Sequence, residues 1–161
     1  MAQLVADAGL SDRIEVDSAG TGAWHVGQPA DGRATAEAAG RGIALTSRGR
    51  QVHAGDFHHF DLLVAMDERN RQDLLDLAPA PELRAKVRLL RSFDPALAGL
   101  DPTSGALDVP DPYYGGPRGF ADVFDLVESA CHGLLTNLTD PHGSSTPPSG
   151  GAPAEPAHAD P

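Results

Sequence analysis

The sequence predicts an α/β protein built on a parallel sheet, and three observations carry that prediction. Short apolar, β-rich runs alternate with helical segments: Ile14-Glu15-Val16, Leu62-Leu63-Val64-Ala65-Met66 and Val87-Arg88-Leu89-Leu90. That alternation is the order of βαβ units. The middle run is nearly all apolar, as a strand buried on both faces must be. Near the end, Phe120, Val123, Phe124, Val127, Cys131, Leu134, Leu135 and Leu138 recur at three- and four-residue spacing, which aligns them into one core-facing stripe of a long helix.

Taken in order, Ile14–Val16 leads into Asp17-Ser18-Ala19-Gly20-Thr21-Gly22, a polar loop where α/β folds place ligand loops. It lacks Gly-x-Gly-x-x-Gly and the later acidic partner of a dinucleotide site, so on its own it reads as a turn. Ala34 to Gly40 is alanine-rich and ends in glycine, a helix with its C-cap. After the second strand, Asp67 caps a helix over Glu68 to Leu77 that Pro79 closes. Val87–Leu90 supplies the third strand, and the amphipathic helix completes the folded part. From Thr139 onward the chain holds no large apolar residue and is rich in Pro, Gly, Ser and Ala. Such a segment buries too little surface to offset its ordering entropy, so 139–161 is expected to be a disordered tail on a single domain of residues 1–138.

Net charge excludes some partners. With 12 Lys and Arg against 23 Asp and Glu, the formal charge is −11, and the scattered cations form no stripe for a phosphate backbone; nucleic-acid binding is not expected. No apolar run is long enough to span a bilayer and no secretory leader pattern opens the sequence, so no membrane association is expected either. A single cysteine cannot form an internal disulfide, which suits a cytoplasmic setting. Lys86 is the only lysine, and the bias toward Arg, Ala, Gly and Pro points to a bacterial source of high GC content.

The candidate chemistry is concentrated in few residues. Cys131 is the only thiol, yet it falls inside the apolar stripe with no glycine-rich loop or arginine beside it, so it reads as a core residue and not a nucleophile. His58 and His59 are neighbours with His53 close by, but adjacent side chains diverge and no cysteine or carboxylate completes a ligand set, so no metal site is expected. Trp24, the sole tryptophan, lies in a polar loop, where such a ring more often lines a pocket or interface. Asp111-Pro112-Tyr113-Tyr114-Gly115-Gly116 contains both tyrosines of the chain. It reads either as a plain turn or as a proton donor flanked by aromatic walls, with Asp108 as a competing carboxylate.

In order, Asp17-Ser18-Ala19-Gly20-Thr21, Trp24-x-Val26-Gly27, Arg50-Gln51-Val52, Ala65-Met66-Asp67-x-x-Asn70 and Asp108-Val109-Pro110-Asp111-Pro112-Tyr113-Tyr114-Gly115 resemble the low molecular weight protein-tyrosine-phosphatases over residues 1–138. The resemblance implies a three-layer fold on a four-stranded parallel sheet. It implies hydrolysis of phosphotyrosine, in a protein or a small aryl phosphate, through a phosphocysteine and without a cofactor. By the same resemblance Asp111 is the general acid and then base. Trp24, Tyr113 and Tyr114 wall the phosphotyrosine slot, and Ser18 belongs to the network bracing the catalytic loop. The family usually has a histidine near the position of Ser47 in that network.

The family begins with a strand running into Cys-x5-Arg-Ser, whose cysteine attacks phosphorus and whose N–H groups hold the phosphate. That motif does not occur in these 161 residues. Met1 to Gly9 resembles the last turns of the helix that follows it. The implied sheet therefore lacks its first, central strand, and a marginally stable, inactive chain is expected, with Met1 an internal methionine of a longer protein. A non-catalytic remnant that binds a partner is the alternative reading. An arsenate reductase of the same fold ranks last, because thiol relay needs further cysteines.

Overall fold

A computed structural model of the chain describes residues 1–101, 105–114 and 118–140. Most of the expected tail, from residue 141 onward, lies outside the described residues. Helix α1 (Ala2–Asp7) opens the fold and stops at Gly9, whose φ of 68° is a left-handed conformation that costs glycine little. Helix α2 (Gly32–Gly40) starts where the Asp31 side chain accepts from the Arg33 N–H, satisfying an otherwise orphaned donor. The short helix α3 (Asp56–His59) had no signal in the sequence pattern. Strand β1 (Leu63–Ala65), helix α4 (Glu68–Leu77) and strand β2 (Val87–Leu89) follow, and helix α5 (Gly119–Thr139) closes the described chain.

Strands β1 and β2 run parallel in the register Leu63 to Val87, Val64 to Arg88 and Ala65 to Leu89. Alternation along them splits the core into two layers. Leu63, Ala65, Val87 and Leu89 pack with Phe57, Leu74 and Leu107. The opposite layer gathers Leu90, Val109, Ala130, Cys131 and Leu134, with Leu4, Leu62, Val64, Val123 and Val127 partly buried against them. Helices thus cover both faces of a parallel sheet, the three-layer α/β arrangement expected. Cys131 sits at 5% exposure within the α5 layer, a packed core thiol.

Two expectations need correction. Ile14–Val16 forms no strand: the sheet of the described residues has two strands, and the first region contributes only an isolated parallel bridge between Gly20 and Gln51. A strand is held by its ladder, and here no neighbouring strand reaches Ile14–Val16; Val16 stays 39% exposed. The apolar stripe of α5 also stops short of its last predicted member, for Leu138 is 47% exposed. No helix among the described residues is long and apolar enough to cross a membrane.

Charged side chains bind the layers. Lys86 donates to the Phe57 and Phe60 carbonyls at 3.0 and 2.9 Å, placing the only lysine at the carbonyl end of α3. Arg41 joins α2 to α5 through Glu37, Asp125 and the Ala121 carbonyl. Buried Asp94 accepts from Ser129 of α5 at 3.1 Å.

Candidate active site

The loop carrying Asp108 and Asp111 docks on the carboxyl end of β1, where the Val109 N–H donates to the Met66 carbonyl at 2.8 Å. This is where parallel sheets present their ligand loops. The two carboxylates then part. Asp108 accepts from the Glu68 N–H at 2.9 Å, so together with Asp67, which accepts from Asn70 N–H at 2.6 Å, it holds the first turn of α4. Asp111 lies exposed, and its Oδ1 accepts from the Tyr113 N–H at 2.9 Å. It thereby caps the single turn Pro112–Tyr114, leaving Oδ2 without a partner among the described residues. Each acid keeps its Oδ2 free of hydrogen bonds among the described residues, but Asp111 is exposed whereas Asp108 is half-buried against the start of α4.

Arg33 reaches this turn from α2. Its guanidinium grips Asp31 through two bonds of 3.1 and 3.0 Å and lies over two rings, 5.0 Å from the Tyr113 centroid and 4.6 Å from that of Phe120. It also donates to the Tyr113 carbonyl at 3.5 Å. The Arg33 side chain, followed by the Arg33 N–H, holds the Asp31 carboxyl down at about 2. Tyr113 is 60% exposed, and its ring is backed by the Arg33 cation.

Ser18 and Trp24 belong to a second loop. Gly20 and Val52 exchange bonds with its neighbours, Gly20 N–H to Arg50 carbonyl at 2.9 Å and Val52 N–H to Gly20 carbonyl at 3.0 Å. Arg50 bridges the Asp17 carboxylate at 2.7 Å and that of Asp56 at 2.8 Å, tying the loop to the start of α3. Ser18 donates its N–H to Asp17, while its hydroxyl has no partner among the described residues. Trp24 is 77% exposed and lies flat on Gly22, where an added Cβ would overlap the indole. It forms no ring pair with a described residue. Asp111, Tyr113 and the backbone of Tyr114 thus share one turn, whereas Ser18 and Trp24 stand on a separately braced loop. Arg48, beside Ser47, donates to the Gly27 carbonyl at 3.0 Å and steadies that second loop.

The Arg50 bridge makes a pH prediction. The Ser18 N–H and then Arg50 lower the Asp17 carboxyl. For Asp56, burial is the largest influence and raises it, but the bonds from Arg50 and the His53 N–H together outweigh it and the net shift is downward. A carboxylate with a lowered folded value adds stability above its unfolded value, about 3.9, which is lost as pH falls through the folded value. Stability should therefore decline below about pH 4. Arg50→Met leaves Asp56, at 8% side-chain exposure, as a buried charge without its arginine, held by the His53 N–H and the His53 ring alone. The expected loss at pH 7 is about 2–3 kcal/mol, under the ~3–5 kcal/mol of a fully buried pair because Arg50 is partly solvated. Without Arg50 the downward shift of Asp56 shrinks, so urea melts of the variant should show a shallower loss of stability below about pH 4 than the wild type. A variant melt with the wild-type pH slope would contradict this.

Sequence reasoning passed over Arg33, Asp31 and Asp56, and read Phe120 only as part of the α5 stripe. The Asp31-x-Arg33 spacing signals a helix cap and nothing more. That Arg33 also meets Tyr113 is a contact across 80 positions, for which no local pattern exists.

Comparisons with known proteins bear on the family and the fold. The family model described as low molecular weight phosphotyrosine protein phosphatase matches residues 1–142. A low molecular weight protein-tyrosine-phosphatase of Streptomyces coelicolor is 50% identical over 136 residues, covering 84% of this chain and 80% of its own. Low molecular weight protein-tyrosine phosphatase A of Mycobacterium tuberculosis is 44% identical over 134 residues, 83% of this chain and 76% of its own. A crystal structure of protein tyrosine phosphatase from Entamoeba histolytica, with Hepes in the active site, superposes with a TM-score of 0.74 at 35% identity, covering 84% of this chain and 82% of that one.

Proposed function

Because the chain belongs to the low molecular weight phosphotyrosine protein phosphatase family, we propose that its residues 1–138 are the acid-and-wall half of a phosphatase site. The observation that carries this reading is Asp111: exposed, capping the Pro112–Tyr114 turn through Oδ1, and docked at the carboxyl end of β1. As the ester P–O bond breaks, Asp111 gives its proton to the leaving phenolate oxygen. It then takes a proton from the water that attacks the phosphoenzyme. Tyr113, Tyr114 and Trp24 flank the aryl ring of a phosphotyrosine protein or small aryl phosphate, and Ser18 braces the loop that holds the phosphate. This chemistry uses no metal or organic cofactor.

The nucleophile is not supplied by these residues. Cys131 is buried in α5, and no Cys-x5-Arg occurs in the sequence. Without the phosphate cradle, Asp111 presents only a like charge to a dianion. A general acid contributes about 10²–10⁴-fold and cannot replace the covalent step. The 161-residue protein is therefore expected to show no aryl phosphate hydrolysis above the buffer rate. Turnover that disappears in Asp111→Asn would overturn that expectation of inactivity while leaving Asp111 as the acid.

A second reading, a non-catalytic protein that accepts a partner strand, rests on β1 having a ladder on one side only among the described residues. The two readings separate when a strand ending in Cys-x5-Arg-Ser is joined ahead of Met1: the phosphatase reading expects turnover, and the strand-accepting reading expects none.

A further inference from the structure

We propose that Arg33 is a positioning residue for the acid turn, acting through Tyr113: its guanidinium, fixed by Asp31 and held between the Tyr113 and Phe120 rings, sets where Asp111 and the Tyr113 wall stand. This rests on the reading of Asp111 as the acid. The acid turn is held from outside: it lies against the start of α5, where a Cβ added at Gly119 would stand 3.4 Å from the Pro112 carbonyl oxygen. It is one short 3-10 turn in which Asp111 is tied to Tyr113 N–H, and both Asp111 and Tyr113 are exposed. Arg33 supplies an anchor from three directions. The bidentate grip on Asp31 immobilises the guanidinium at the N-terminus of α2. Stacking on Phe120 at 4.6 Å ties it to the first turn of α5. Stacking on Tyr113 at 5.0 Å and the bond to its carbonyl then fix the turn to that platform.

The geometry suits arginine and not lysine. A planar guanidinium can stack between two rings while its edge donates to a carboxylate, whereas an ammonium offers a point charge and no plane. Because Asp111 and Tyr113 are two residues apart on one turn, a single clamp on Tyr113 orients the proton donor and the ring wall together. Phe120 thereby gains a role beyond the core stripe that its spacing suggested.

The test reads the turn directly and needs no turnover, so failure of the acid assignment and failure of this inference are distinguishable. Amide hydrogen exchange is measured by NMR on the 161-residue protein and its Arg33→Ala, Arg33→Lys and Asp31→Asn variants. In Arg33→Ala the Tyr113 amide should exchange about fivefold to tenfold faster, with the interior amides of α5 and β1 unchanged. Asp31→Asn should give a smaller increase at the same amide. Arg33→Lys should restore less than half of the lost protection. The proposal is overturned if Tyr113 exchange in Arg33→Ala stays within about twofold of wild type. It is equally overturned if α5 amides accelerate as much, which marks general destabilisation, or if lysine restores protection in full, which marks charge alone.

Discussion

Gly133→Ala in α5 is expected to destabilise the protein by about 2–3 kcal/mol, although in an ordinary helix interior the same change would stabilise by about 1 kcal/mol. A Cβ at position 133 would overlap the carbonyl oxygen of Phe93 and approach Pro95 Cδ at 3.2 Å. The obstacle is backbone, so no rotamer change relieves it, and α5 must move away from the segment that follows β2. That movement also strains the Ser129 to Asp94 bond and loosens the packing of Ala130, Cys131 and Leu134. Against a total stability of about 5–15 kcal/mol the loss is large. Gly40→Ala in α2 is the matched control, because nothing lies within 4 Å of its Cβ position. Urea midpoints should move in opposite directions for the two variants, and a higher midpoint for Gly133→Ala would refute the close approach of α5 to Phe93.

The larger kinetic effect is expected at Asp111, once a strand ending in Cys-x5-Arg-Ser is joined ahead of Met1. Asp111→Asn should then slow phosphoryl transfer to the enzyme by about 10²–10⁴-fold. Asparagine is the informative substitution, because its side-chain oxygen still accepts from the Tyr113 N–H and preserves the cap while removing the transferable proton. The loss should be greatest for alkyl or unsubstituted phenyl esters, whose leaving oxygens need protonation most, and smallest for nitrophenyl esters. Single-turnover rates across a leaving-group series measure this directly. Equal losses along the series would argue that Asp111 positions the substrate and does not protonate it.

Much of the fold was legible because its signals are local. Asp67 as the cap of α4 and Leu77 as its last residue follow from side-chain capping and a following proline. The span of α5 follows from the period of its apolar residues. Strands β1 and β2 were legible from short, largely apolar runs, one or two residues longer than their ladders. Ile14–Val16 shows the limit of that reasoning. Its composition favours a strand, but strand formation requires a neighbour, and among the described residues none is beside it.

The site divides in the same way. Asp111 and the tyrosines stood out because a carboxylate, a proline and two rings in six residues form one turn, and the turn is local. Asp108 and Asp111, three residues apart, could not be ranked from sequence. The docking of Val109 on Met66 turns Asp108 toward the α4 N-terminus and leaves Asp111 outward. Local pattern carries the alternation of strands and helices, the resemblance to the family, and the chemical types in the acid turn. Packing alone settled that Arg50 joins Asp17 to Asp56 and that Arg33 backs Tyr113. The physical reason is range: caps and periodic stripes are written within a few residues, whereas ion pairs and ring stacks join positions that only the packed layers bring together.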